Sequence, residues 1–151
     1  MASLNFGNDS ALDKFNEFLR DYEDFKLDAD SIKKGTGIAI SAWHLTDWVY
    51  SEFKGVSNYK DLGEFRLSLY PSCPSLKIMH DIATAAKHKT VSLPKANLKS
   101  TRKHMGAFSR EFSKDFDISY LEVELDSGYR LDFEDEIDKV KVFWEEFFSK
   151  L

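Results

Sequence analysis

Tyr120-Leu-Glu-Val-Glu-Leu-Asp-Ser-Gly-Tyr-Arg-Leu-Asp-Phe133 is where the chain changes its period. Leu121, Val123 and Leu125 alternate with Tyr120, Glu122 and Glu124, and Tyr129, Leu131 and Phe133 alternate again. A period of two marks a strand with one buried face. Asp126-Ser-Gly between the two runs is a turn signal. The segment predicts an antiparallel hairpin, and a third strand is expected around residues 107–112. The fold class expected is therefore mainly helical α+β. It comprises four to five helices in a bundle, with a hairpin or three-stranded sheet at about 105–133, before the C-terminal helix.

Outside this segment the apolar residues recur at helical spacing. Asp9 or Ser10 can cap a first helix, because a short side-chain oxygen accepts an orphan amide proton there. Leu12, Phe15, Phe18, Leu19, Tyr22 and Phe25 then form its inner stripe. A second helix is expected over 30–53, apolar on most sides after Gly37 and therefore central. Gly35 and Gly37 weaken its start by roughly 1 kcal/mol each relative to Ala and would permit close helix–helix contact. Gly55-Val-Ser-Asn breaks it, and a short helix over 59–69 ends near Pro71. Ser72 or Cys73 caps a fourth helix to about His88, with Pro74 at its first position, where a missing N–H costs nothing. A last helix over 135–151 carries Ile137, Val140, Trp144, Phe147, Phe148 and Leu151 on a broad apolar face. Those aromatics would support a homodimer, and a bundle core explains them equally well.

The chain has 151 residues, 42% of them hydrophobic and 31% charged, with a formal charge of −5. One domain over 1–151 is the natural reading at this size. The composition excludes collagen-like and disordered chains, and no apolar run approaches the roughly 18 residues of a membrane span. A single cysteine, Cys73, excludes an internal disulfide framework and a cysteine zinc site. The first residues lack the basic and apolar regions of a secretory signal, so a cytoplasmic location is expected. Cys73 itself reads either as a thiol activated at a helix start or as a small packed residue.

The polar residues on two otherwise apolar helices are candidates for chemistry. His44 and Asp47 lie three apart on the second helix, and Asp81, Thr84 and His88 share a face of the fourth. If these helices pack side by side, His44, Asp47, Asp81 and His88 could converge. Three readings stand: a satisfied buried network; acid–base chemistry with His88 titrating near neutrality, a carboxylate orienting it and Lys87 holding an anion; or a metal site, which lacks the usual ligand spacing. His80, about 100° round the helix from Asp81, need not join them. His104 reads as a surface residue. No cofactor is implied, since no complete phosphate-binding glycine loop is present.

Seven basic residues (Lys87, Lys89, Lys95, Lys99, Arg102, Lys103 and Arg110) fall between Ile82 and Arg110 with no acid among them. The rest of the chain holds 14 basic residues against 26 acidic ones. Clustered cations release counterions from nucleic acid, so Lys87, Lys89, Arg102 and Lys103 are candidate phosphate contacts and RNA a candidate partner. Alternatively the segment lies on the acidic helices. No aromatic residue, the usual stacking platform for bases, occurs from Lys87 to His104. A third reading uses the acidic clusters Asp21-Tyr-Glu-Asp and Glu134-Asp-Glu to occupy a basic nucleic-acid-binding protein, as an inhibitor would.

Ala42-Trp-His-Leu-Thr-Asp-Trp-Val-Tyr, Cys73-Pro-Ser-Leu before His80-Asp-Ile-Ala-Thr-Ala-Ala-Lys-His88, and Val123-Glu-Leu-Asp-Ser-Gly through Val142-Phe-Trp-Glu-Glu-Phe-Phe resemble a pattern in small uncharacterised bacterial helical proteins. More distantly, the helical part resembles HEPN domains, bundles common in toxin and phage-defence systems that often act as metal-independent ribonucleases. Their motif places an Arg a few residues before a His late on a helix. Lys87-His88 stands at a comparable helix end, and Asp81 stands where the Arg would be. The resemblance implies a defence or mobile-element setting and action on RNA, with His88 and His44 as acid–base groups and Asp81 or Asp47 as the orienting carboxylate.

Overall fold

The computed structural model describes residues 4–54, 58–105 and 119–151. Among them are five helices and three strands: α1 (Ala11–Lys26), α2 (Ile32–Phe53), α3 (Leu62–Leu69), α4 (Ser75–His88), β1 (Leu98–His104), β2 (Tyr120–Leu125), β3 (Arg130–Asp132) and α5 (Phe133–Ser149). The architecture is the mainly helical one expected, with a three-stranded antiparallel sheet in the order β1-β2-β3 preceding the last helix. The expected strand at 107–112 and the break at Gly55 lie outside the described residues, as does Arg110. The strand that completes the sheet is Leu98–His104, a stretch whose sequence carries no apolar alternation.

Caps fix most helix starts. Ser10 accepts from the Asp13 N–H while Asp13 reaches back to the Ser10 N–H, a reciprocal capping box. The Glu52 side chain at the far end of α2 accepts from the Ala11 N–H, which satisfies another orphan donor. Ser31, Asp61 and Asp132 cap α2, α3 and α5. At α4 the cap lies one residue later than expected. Pro74 occupies the N-cap position with no side-chain bond, and the Cys73 carbonyl accepts from the Leu76 N–H.

The second helix is central, touching α1, α3, α4 and α5. Its Ile38, Ala39, Ala42, Leu45, Thr46 and Val49 are buried. The last helix docks on it through Trp144, which is fully buried and donates its indole N–H to the Ala42 carbonyl at 3.1 Å. Phe148 stacks on Phe15 of α1 with ring centroids 4.3 Å apart. Gly35 does make close approach possible, but to the sheet rather than to a helix. A Cβ there would collide with the Leu121 side chain, whereas one at Gly37 would meet nothing within 4 Å.

The sheet puts Val123 into the core and its polar face outward. On that outer face Arg102 pairs with Glu122 and Ser100 with Glu124 in cross-strand register. Glu122 on that face is covered rather than solvated. It receives Arg102 Nε at 3.0 Å and the Tyr120 hydroxyl at 3.1 Å, with Arg130 and His104 close by. Removal from water raises its pKa, but the bonds from Arg102 and Tyr120 and the charges of Arg102 and Arg130 outweigh this and hold it below the usual range.

Candidate nucleic-acid interface

The four residues expected to converge divide by exposure. His44 and Asp47 lie exposed on α2, and His88 lies exposed at the end of α4. Asp81 points the other way and is 1% exposed. Its carboxylate accepts from His80 Nδ1 at 2.6 Å, from the Lys95 N–H at 2.8 Å and from the Ala96 N–H at 2.9 Å. Burial pushes its pKa up; the His80 bond and the two backbone N–H bonds more than reverse this, so it stays low. Asp81 therefore orients His80, which its position on the helix did not require to join the cluster, and ties the segment after α4 to the helix. His80 in turn lies edge-on to Trp43, centroids 5.0 Å apart, with its Nε2 3.4 Å from the Thr84 hydroxyl. Arg66 covers Trp43 at 4.3 Å and donates to Thr46. This is a satisfied buried network of the kind low-dielectric surroundings demand.

His44 borders a shallow polar pocket of about 230 Å³ with Lys14, Glu17, Ser41 and Trp48. Partial burial lowers its pKa first; Asp47 acts to raise it, and Arg66, Lys14 and Lys87 lower it further. His44, Asp47 and Lys87 thus share one electrostatic neighbourhood on the surface. Among the described residues no group of three or more His, Cys, Asp or Glu side chains is placed to hold a metal ion. Cys73 is buried, and burial pushes its thiol up, away from nucleophilic use.

The basic segment divides into engaged and free cations. Arg102 is paired with Glu122, and Lys103 lies 3.4 Å from Asp30. Lys87, Lys89, Lys95 and Lys99 are exposed and form no ion pair among the described residues. Between α4, β1 and residues 89–94 runs a cleft of about 500 Å³. Lys89 and Lys99 line it, together with Thr90, Ser100 and Thr101. Lys89 ends α4 with φ 68°, a region glycine occupies far more cheaply.

Much of the acidic surface is committed internally. Lys26 binds Glu134 at 2.6 Å and Asp138 at 3.0 Å, and Lys34 lies within 3.6 Å of both Asp24 and Asp28. Tyr22 donates to Asp138 at 2.6 Å, and burial together with that bond pushes its hydroxyl up to about 12. Glu134, Asp135 and Glu136 occupy the first turn of α5, where acids complement the helix dipole.

The sequence named Lys87 and Lys89 but passed over Lys95 and Lys99, because nothing in it showed that Arg102 and Lys103 are spent on partners. It also left out the cleft. Nothing in the sequence showed that Asp81 would hold the stretch after α4 against that helix. No family model matches the chain, and no curated protein or solved structure matches it. No helix among the described residues is long and apolar enough to cross a membrane.

Proposed function

We propose that the chain binds single-stranded RNA through its phosphate backbone, using Lys87, Lys89, Lys95 and Lys99. The observation that carries this reading is the set of four exposed lysines, without ion pairs among the described residues, on the segments that flank one cleft. A surface so arranged gains its affinity by releasing condensed counterions. The resemblance to HEPN bundles supplies the biological frame of the proposal, RNA handling in a defence or mobile-element setting. The rival reading, an acidic face that captures a basic protein, is less well supported. Glu134 and Asp138 are held by Lys26, and Asp24 and Asp28 by Lys34.

Titration of a labelled single-stranded RNA at several salt concentrations tests the proposal. For four phosphate contacts the slope of log K against log salt is about −3, since each contributes about 0.7. Each Lys→Ala substitution should flatten it by about that 0.7. Absence of binding at low salt, or binding unchanged when all four lysines are replaced, overturns the reading. The same samples report cleavage. His88 stands between Lys87 and Lys89, so turnover lost in His88→Ala would add catalysis to binding, and intact RNA leaves a binding protein.

A further inference from the structure

We propose that the cleft between α4 and β1 is a nucleotide pocket that holds one unstacked ribonucleotide, its phosphate at the mouth and its base inside. The inference rests on the RNA-binding reading and goes beyond it, because surface lysines alone need no pocket. At about 500 Å³ the cleft falls within the roughly 300–1,000 Å³ usual for small-molecule sites. A single nucleotide fits it and a duplex does not.

Three features give the cleft a direction. Part of its wall is aliphatic, formed by Ile82, Ala85, Val91, Pro94 and Leu98, a surface that accepts the flat face of a base without aromatic stacking. Lys89 and Lys99 are exposed and have no ion-pair partner among the described residues, so their ammonium groups are available to a phosphate. Asp81 lines the cleft from its buried position, ionised and accepting from His80 and two backbone N–H groups. A fixed negative charge inside and mobile positive charges outside repel a phosphate from the interior and hold it at the rim. A neutral base suffers no such repulsion. The hydroxyls of Thr90 and Thr101 supply donors and acceptors for a sugar or a base edge. The backbone at Lys89 agrees with this. A lysine sits where the positive φ favours glycine, so its side chain occupies the mouth at a conformational cost.

The test measures binding of adenosine 5′-monophosphate, inorganic phosphate and a single-stranded RNA to the full chain and two variants. The monophosphate should bind at least tenfold more tightly than inorganic phosphate, since the wall contributes only for the nucleotide. Lys89→Gly relieves the backbone and removes the ammonium. It should keep or raise the melting temperature while weakening both the monophosphate and inorganic phosphate by about tenfold. Ala86→Leu fills the cleft from an exposed position on α4. It should erase the nucleotide's advantage over phosphate and change RNA binding by threefold or less. RNA bound without any preference for the monophosphate over phosphate overturns the pocket and leaves the lysine surface standing. Monophosphate bound in an Ala86-sensitive way without RNA supports the pocket as a free-nucleotide site and overturns the RNA reading. Failure of both ligands to bind overturns both.

Discussion

A Cβ at Gly37 would meet open space, while one at Gly35, two residues earlier on the same helix, would run into Leu121. Gly37→Ala should therefore stabilise the protein by about 1 kcal/mol through helix propensity alone. Gly35→Ala gains the same propensity but overpacks the sheet contact, which typically costs about 1–3 kcal/mol. Its midpoint in urea should fall below that of the parent while that of Gly37→Ala rises. Asp81 makes a second prediction at this scale. Its pKa is lowered in the folded state, so the stabilisation it gives is complete above the ordinary carboxylate range and is lost as pH falls below it. Asp81→Asn should flatten the acid limb of a stability–pH profile. Asp81→Ala, which strands His80 and the Lys95 and Ala96 N–H groups, should cost about 3 kcal/mol at neutral pH. His44 makes a third. Its imidazole should titrate below the usual value by NMR, and Lys87→Ala should move it upward, because Lys87 is one of the charges that depress it.

Elements were legible in proportion to how much their own residues decided them. A cap at Asp9 or Ser10, the stripe from Phe15 to Phe25 and the hairpin around Asp126-Ser-Gly are local, and the structure keeps them, with Ser10 as the cap. Strand β1 was not legible, because Lys99-Ser-Thr-Arg-Lys-His104 has no apolar alternation and is held instead by charge pairs across to β2. Glu122→Ala should leave Arg102 and Arg130 without their shared carboxylate. Hydrogen exchange in β1 should then quicken by about tenfold or more, the effect of losing a charge-assisted bond, while α2 stays protected. The candidate site was half legible for a related reason. A helix apolar nearly all round does not reveal which of its edges meets water, so the exposure of His44 and Asp47 could not be read from spacing. The His80–Asp81 bond joins adjacent positions that a helical wheel separates. The basic character of 87–103 was plain, but which of its cations remain unpaired depends on Glu122 and Asp30, distant in sequence.

Across the whole molecule, α1 and α5 close the core on each other. Phe15 stacks on Phe148, Lys26 binds Glu134 and Asp138, and Trp144 spans to Ala42 on α2. Trp144→Phe removes that hydrogen bond and part of a fully buried ring, and should lower stability by about 2–4 kcal/mol, read as a shift of the thermal midpoint. These contacts also bear on how the protein is made. Phe15 and Phe25 emerge from the ribosome more than a hundred residues before their ring partners Phe148 and Phe133 on the aromatic helix. Until that helix has emerged, the nascent chain carries an uncovered greasy trough, which is the condition under which chaperones engage a substrate.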